Sequence, residues 1–189
     1  MAKVKIAVIV GSNRRDSINR KLAHALAKLG AEQSAFHFVA IHDLPLYSQD
    51  LEADLPKSVV RFKSEIAAAD ALLLVTPEHN RSIPALLKNA IDWGARPYGQ
   101  NAWNAKPAAI TGTSPGAIGA AVAQLHLRQV LGILGVLVMG GEAYISFKPG
   151  LVDADGTITD ENTRGFLKAF IDQLASLAAR MSFARAAAA

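Results

Sequence analysis

Three continuous apolar runs restrict the fold of this chain more than any other feature of its sequence. They are "VKIAVIV" from Val4 to Val10, "ALLLVT" from Ala71 to Thr76, and "PAAITGTS". None of them shows the strict alternation of apolar and polar residues that is typical of a strand with one wet face, so each predicts a strand buried on both faces. Such strands occur in parallel sheets that helices cover on both sides.

Helical patterns alternate with these runs. "FHFVAI" and "VLVMG" predict two further strands, and "EAYISF" either extends the last strand or adds an edge strand. With helices between the strands, the chain predicts a right-handed, doubly wound α/β sheet of five parallel strands. No repeat or change of composition divides it, so we expect one domain over residues 1–182 and a disordered tail over residues 183–189. The predicted helices are "SINRKLAHALAKLG", "LPKSVVRFKSEIAAAD", "PALLKNAIDWG", "AIGAAVAQLHLRQVLGILG" and "DENTRGFLKAFIDQLASLAARM".

The composition excludes several kinds of site and partner. There is no cysteine, which rules out disulfides and thiolate chemistry, and the five histidines show no paired metal-ligand spacing, so no metal site is expected. The net charge of +4 comes from scattered Lys and Arg with only 6% aromatic residues, which argues against nucleic-acid binding. No run is long enough to span a bilayer, and the short apolar N-terminal run lacks a cleavage site for a signal peptide. We therefore expect a cytoplasmic protein that binds no membrane.

Three polar loops follow strands of the predicted sheet. They cover residues 11–19, 77–83 and 112–117, and all are rich in Gly, Ser, Thr, Asn and Pro. Doubly wound sheets bind ligands beyond the carboxyl ends of their strands, where the strand order reverses. The sequence therefore predicts one ligand site formed by these three loops.

The first loop, "GSNRRDSIN", has the composition of a phosphate site at a helix N-terminus. Gly11 allows close approach of the backbone, Ser12, Ser17 and Asn19 can donate hydrogen bonds, and Arg14 or Arg15 adds charge. It lacks the Gly-Lys-Ser/Thr of nucleoside-triphosphate loops and the three-glycine dinucleotide fingerprint, which favours a mononucleotide. The alternative is that Ser17 is only a helix cap in a solvated turn.

The second and third loops suit a flat polar ring. Two prolines bracket "EHNRSI", where Asn80 can donate and accept, Glu78 can accept or anchor the loop, and His79 can stack or transfer protons. "TGTSPGAIG" offers small residues for close backbone approach. The alternatives are an exposed loop histidine at position 79 and a simple turn with a helix cap at Ser114. No Gly-x-Ser-x-Gly elbow is present, which argues against a hydrolase.

Together, "GSNRRDSINRKLA", "TPEHNRSIPALLKNAIDW" and "TGTSPGAIG…QLHLRQVL" closely resemble the NADPH-dependent FMN reductase family, the flavodoxin-like group that includes chromate and quinone reductases. The resemblance covers nearly the whole chain from Val4 to the last helix. It implies a flavodoxin-like sheet of order 2-1-3-4-5, FMN as cofactor, NADPH or NADH as electron donor, and a homodimer or homotetramer. The family's second loop usually carries Tyr where this chain has His79.

The resemblance also implies roles for particular residues. The first loop would hold the FMN phosphate, the second would lie along the isoalloxazine ring, and the third would complete the pocket. Arg81 is assigned from its charge alone, as a contact for phosphates of the nicotinamide cofactor or for an anionic acceptor. The resemblance implies as cofactor-binding residues Ser12, Asn13, Arg14, Ser17, Ile18, Asn19, Pro77, Glu78, His79, Asn80 and Thr113, with Ser114 and Gly116 nearby. Gly11, from the composition of the first loop, and Arg81, from its charge, complete the predicted set.

The implied reaction is hydride transfer from NAD(P)H through the flavin to a small acceptor, such as a quinone, azo dye, nitroaromatic, free flavin or chromate. The flavin carries this chemistry, so no catalytic side chain is named. The main alternative is a flavodoxin-type electron carrier, which the positive net charge disfavours because such carriers are usually acidic. A receiver domain is disfavoured because "GSNRR" and "VTPEH" stand where it needs aspartates.

Overall fold

The computed structural model describes residues 3–187 of the chain, with side chains as far as Ser182. Six strands and five helices alternate through most of this length, with a 3₁₀ turn at Gln49–Leu51. The strands are β1 (Val4–Val10), β2 (Ser34–Phe38), β3 (Ala71–Val75), β4 (Pro107–Ser114), β5 (Leu137–Val138) and β6 (Ala143–Ser146). The helices are α1 (Ile18–Gly30), α2 (Lys57–Ala68), α3 (Ala85–Ala95), α4 (Ala121–Ile133) and α5 (Glu161–Ala187).

The sheet is parallel and has the order β2-β1-β3-β4-β5, which confirms the predicted flavodoxin-like topology. The predicted fifth strand is broken in two. β5 pairs with the start of β4 at Pro107, and β6 pairs with its end from Thr111 to Ser114. Gly141 lies between the two pieces at a φ of 85°, a left-handed conformation that interrupts an extended strand. The expectation of five strands is corrected accordingly.

Two apolar cores cover the two faces of the sheet. Residues of α1 and α5 pack on one face with Ile6, Val8 and Leu73, whereas residues of α2, α3 and α4 pack on the other with Ile9 and Leu74. Neighbouring residues of β1 and β3 thus enter opposite cores, which explains why these strands are apolar throughout. The same packing leaves only the ends of the strands and their loops free to meet a ligand.

Two helix boundaries differ from the sequence-based expectation. α4 begins at Ala121 rather than near Ala117, because Gly119 and Ala120 adopt left-handed φ values of 58° and 63°. α5 extends to Ala187, so it overlaps the predicted tail of residues 183–189, while residues 188–189 lie outside the described part of the chain. Within residues 3–187, none of the helices combines the length and apolar character needed to cross a bilayer.

Candidate functional site

A cleft of about 520 Å³ lies at the carboxyl edge of the sheet, where the loops after β1, β3 and β4 meet. This volume falls within the range of about 300 to 1,000 Å³ that is typical of small-molecule sites. The structure brings together twelve of the residues predicted from sequence. They are Gly11, Ser12, Asn13, Arg14, Ser17, Ile18, Asn19, Pro77, Glu78, His79, Thr113 and Ser114.

Three predicted residues do not line this cleft, and four unpredicted residues do. Asn80, Arg81 and Gly116 lie beside it in the second and third loops. The residues that sequence reasoning missed are Pro84, Ala85, Leu86 and Pro115. Pro84, Ala85 and Leu86 form the entry to α3 and its first turn. The sequence feature that could have indicated them is Pro84, the proline that ends the second loop. Apolar atoms of α3 therefore form part of the wall.

The first loop presents free backbone donors at the start of α1. Ser17 is the N-cap, and its Oγ accepts a hydrogen bond from the N–H of Arg20 at 3.3 Å. The N–H groups of Ile18 and Asn19 have no acceptor among the described residues. Free N–H groups and the positive end of the helix dipole attract an anion. The guanidinium of Arg14 is held against the same loop, where its Nη2 donates to the carbonyl of Asp16 at 2.7 Å.

Asn19 has a different contact from the one predicted. Its Oδ1 accepts from the N–H of Thr113 at 2.9 Å, and its Nδ2 donates to the carbonyl of Thr113 at 3.0 Å. Asn19 and Thr113 are both buried. The sequence predicted that Asn19 donates to a phosphate, whereas in the structure this side chain joins the first loop to the end of β4. Asn19 therefore sets the distance between the two walls of the cleft that the first loop and the end of β4 form.

The second loop ends in a tight turn with an unusual backbone. His79 and Ser82 exchange two backbone hydrogen bonds of 2.9 Å, and between them Asn80 and Arg81 have φ values of 50° and 63°. Two successive left-handed residues define a type I′ turn, which is uncommon without glycine. The N–H groups of Asn80 and Arg81 have no acceptor among the residues that the structure describes. They are available to a ligand at the tip of the turn.

Glu78 anchors this loop to another element. Its Oε2 accepts from the N–H groups of Val122 and Ala123 at 3.0 and 3.2 Å, in the first turn of α4. Its Oε1 accepts from Nη1 of Arg81 at 3.1 Å. Both carboxylate oxygens are therefore engaged, and the negative charge lies at the positive end of α4. Of the two sequence-based options for Glu78, anchoring is the one that these contacts support.

Two glycines allow the walls of the cleft to approach closely. A Cβ on Gly112 would lie 2.1 Å from the carbonyl oxygen of Thr76, so no other residue fits between the ends of β3 and β4. A Cβ on Gly11 would lie 3.2 Å from a methyl group of Leu87, which is a tight contact. Gly116 has more room, since the nearest atom would lie at 3.8 Å. A small residue is therefore needed for close approach of the backbone at Gly11 and Gly112 but not at Gly116.

Sequence comparison agrees with this geometry. The sequence model of the family described as NADPH-dependent FMN reductase matches residues 4–150. The chain belongs to this family. Membership confirms the resemblance seen in the loop motifs, and the family makes this protein an oxidoreductase with FMN and NAD(P)H as cofactors.

Individual relatives of this FMN reductase cover almost all of it. A 2-hydroxy-1,4-benzoquinone reductase from Burkholderia sp is 53% identical over 174 residues, which is 92% of this chain and 95% of the relative. A quinone reductase from Pseudomonas putida is 51% identical over 173 residues, 90% and 92% of the two chains. The solved structure of FerB, a flavoenzyme NAD(P)H:(acceptor) oxidoreductase from Paracoccus denitrificans, matches with a TM-score of 0.91 at 49% identity over 94% of this chain and 98% of that one. These similarities favour the enzyme over the flavodoxin-type carrier.

Proposed function

We propose that this FMN reductase is an NAD(P)H:quinone reductase that holds its flavin in the cleft at the carboxyl edge. The observation that carries the proposal is that free N–H donors at the start of α1 line one end of a cleft that Pro77 and Thr113 line elsewhere. The donors suit a phosphate, and the walls formed by the second and third loops suit a flat ring. The relatives named as quinone reductases, 53% and 51% identical, support a quinone as the acceptor.

At the phosphate end, the chain supplies neutral and positive donors. Ser12, Asn13 and Ser17 line the cleft beside Arg14, and the N–H groups of Ile18 and Asn19 point out of the first turn of α1. The acidic side chain that lines the cleft, Glu78, already accepts three hydrogen bonds. None of the residues that line the cleft therefore presents a free carboxylate that would repel a phosphate monoester.

At the ring end, Pro77 and His79 form one wall, and Thr113 and Ser114 form the other, with Gly116 beside it. The free N–H groups of Asn80 and Arg81 lie beside this end of the cleft and not on its wall. When bound, FMN would supply the redox chemistry that links hydride transfer from NAD(P)H to reduction of the acceptor. The chain's own task is to orient ring, donor and acceptor, and His79, which is exposed, offers a surface for stacking.

A binding experiment with FMN and riboflavin tests the site, because the two ligands differ only by the phosphate. In Ser17→Ala, the affinity for FMN should fall about tenfold, the effect of losing one hydrogen bond to a charged group, while riboflavin binding changes little. The matched control is Ser48→Ala, since Ser48 caps the 3₁₀ turn through Asp50 and lies outside the cleft. Equal loss of both ligands in Ser17→Ala would contradict the phosphate placement.

Activity tests the function itself. The enzyme loaded with FMN should oxidise NADPH or NADH in the presence of benzoquinone, with the parallel double-reciprocal lines of a ping-pong mechanism. We propose that the enzyme also reduces azo dyes, nitroaromatics, free flavins and chromate, because an open cleft selects only weakly for the shape of the acceptor. An enzyme that binds FMN but leaves NAD(P)H unoxidised would be a carrier, which would overturn the proposal.

We also propose that this enzyme is a homodimer or homotetramer that acts in the cytoplasm. An open groove of about 750 Å³ lies between α3 and α4, lined by apolar residues that include Ile83, Ile91 and Val130. At its rim, Ile133 is 87% exposed. Large exposed apolar groups at a groove are typical of subunit contacts. The absence of cysteine is consistent with a reducing compartment.

The oligomeric state can be measured by light scattering after size exclusion. Ile133→Arg should reduce the mass to that of a smaller species, because a charged side chain would be buried without a partner. Leu46→Arg is the control, since Leu46 is 83% exposed and lies outside the groove. An unchanged mass for Ile133→Arg, or a monomeric wild type, would contradict this interface.

A further inference from the structure

A second, smaller cavity lies next to the flavin cleft. It has a volume of about 190 Å³ and is formed where β1 and β2 end, on the side of α1. Ser12 and Leu86 line both this cavity and the cleft, so the two spaces adjoin. Most of its wall is apolar or backbone, and its three side chains that can carry positive charge are Arg20, His24 and His42. These features define a site that we call the basic pocket.

The basic pocket contains the fixed positive charge of Arg20. None of the described residues that line it is acidic. Asp43 follows His42 in the chain, but its carboxylate is paired with Arg61 at 3.0 Å. Arg20 donates to the carbonyl of Ser12 at 3.4 Å, and its remaining guanidinium N–H groups have no acceptor within the described part of the chain. The pocket therefore has donors and charge that no protein group neutralises.

One side of the pocket is formed by two stacked rings. The ring of His24 stacks on Phe38 with centroids 4.2 Å apart and an interplanar angle of 21°. Partial burial, and then the neighbouring charge of Arg20, lower the pKa of His24. An anion placed between the two side chains would offset the repulsion from Arg20 and favour the protonated ring. The fixed charge of Arg20 is therefore the feature of the pocket that favours a bound anion.

We propose that the basic pocket binds the 2′-phosphate of NADPH and makes the enzyme prefer NADPH to NADH. The inference rests on the proposed function, because it needs the nicotinamide end of the coenzyme to lie in the adjoining cleft. At 190 Å³ the pocket is smaller than a typical ligand site of about 300 Å³ or more, so it suits a single phosphate group rather than a nucleoside.

The charge at the end of β2 agrees with this assignment, although here the loop after β1 is proposed to hold the flavin phosphate and not the nicotinamide coenzyme. In dinucleotide-binding folds of related architecture, the end of the second strand carries an acidic residue that binds the ribose 2′-hydroxyl of NAD, or lies near an arginine that accommodates the 2′-phosphate of NADP. Here the end of β2 leads to His42 and lies close to Arg20, with no acid on the wall. The guanidinium can form paired hydrogen bonds to phosphate oxygens.

Equilibrium binding of NADP⁺ and NAD⁺ to the FMN-loaded enzyme tests the proposal without turnover. By titration calorimetry, Arg20→Gln should lower the ratio of NADP⁺ affinity to NAD⁺ affinity about tenfold, the effect of one lost charged hydrogen bond. His42→Gln should lower it in the same direction. Lys21→Gln is the matched control, because Lys21 is exposed, carries the same charge as Arg20 and lines neither cavity. It should keep the wild-type ratio.

The phosphate bound in the basic pocket could also come from FMN, and the same variants distinguish FMN from NADPH. If Arg20→Gln weakens FMN binding but not riboflavin binding, the pocket serves the flavin phosphate and the proposal is overturned. An unchanged NADP⁺ to NAD⁺ ratio in both variants, or equal weakening of the two nucleotides, also overturns it. Failure of the proposed function would appear elsewhere, as FMN-loaded wild type that oxidises neither NADPH nor NADH with benzoquinone.

Discussion

The side-chain amide of Asn19 forms two hydrogen bonds with the backbone of Thr113, a residue 94 positions later in the chain. Asn19 belongs to the first turn of α1, and Thr113 belongs to the last part of β4. The first and third loops of the cleft are thus joined directly, below the space that the flavin is proposed to occupy. A buried amide with both ends bonded fixes this separation more firmly than packing alone.

Removing this amide should weaken flavin binding without a direct contact to phosphate. Asn19→Ala leaves the N–H and carbonyl of Thr113 buried and without their partners, which costs about 1 to 3 kcal/mol of unfolding free energy. Because the change shifts two walls of the cleft, we expect FMN and riboflavin to lose affinity together. Urea unfolding and flavin titration measure the two effects.

Asn19→Asp is a sharper variant of the same test. The carboxylate keeps an acceptor for the N–H of Thr113 but replaces the donor, so it faces the carbonyl of Thr113 with no proton between them. It should therefore be at least as destabilising as Asn19→Ala at neutral pH. Loss of FMN affinity with unchanged riboflavin affinity in Asn19→Ala would instead restore the sequence-based role of this side chain as a phosphate donor.

These residues show what the sequence could and could not predict. The three loops were predictable because buried parallel strands place their carboxyl ends at one edge, and the polar runs at residues 11–19, 77–83 and 112–117 follow such strands. The hydrogen-bond partner of Asn19 was not predictable, because a polar residue in a sequence does not show which distant backbone group its side chain contacts. The start of α4 was also missed, since a left-handed Ala120 opposes its own backbone preference and depends on the tertiary structure.

Glu78 should stabilise the fold as well as the loop. Its carboxylate accepts from two N–H groups of α4 at 3.0 and 3.2 Å, so Glu78→Ala removes two charge-assisted hydrogen bonds and should cost about 2 kcal/mol in urea unfolding. Arg81→Gln is the control, because it removes only the ion pair between the exposed guanidinium of Arg81 and Glu78, which is worth about 0 to 1 kcal/mol. If Glu78→Ala and Arg81→Gln lose the same unfolding free energy, the hydrogen bonds from α4 are not the main stabilising contact of Glu78.

Gly112 is expected to tolerate no side chain. In Gly112→Ala the new Cβ would lie 2.1 Å from the carbonyl oxygen of Thr76, a backbone atom that cannot move without separating β3 from β4. We expect a loss of more than about 3 kcal/mol or a failure to fold, as for severe overpacking of a core. Gly116→Ala, in the same loop but with 3.8 Å of space, should be nearly neutral in stability. Thermal melting of both proteins makes the comparison, and a stable Gly112→Ala variant would contradict the close approach.

His24 should make stability fall in mild acid. Its pKa is lowered from 6.5 in the folded state by burial and then by Arg20, so the unfolded chain takes up this proton at a higher pH than the folded chain. The contribution is fully present above pH 6.5 and is lost as the pH falls through the lower folded-state value. His24→Gln cannot titrate, so the stability of the wild type relative to this variant should decrease between about pH 7.5 and about pH 5. Urea unfolding at both pH values measures the difference.

Arg20→Gln should reduce this pH dependence in part, because the charge of Arg20 is the smaller of the two causes of the lowered His24 pKa. A pH-independent difference between wild type and His24→Gln would show that this imidazole titrates alike in both states.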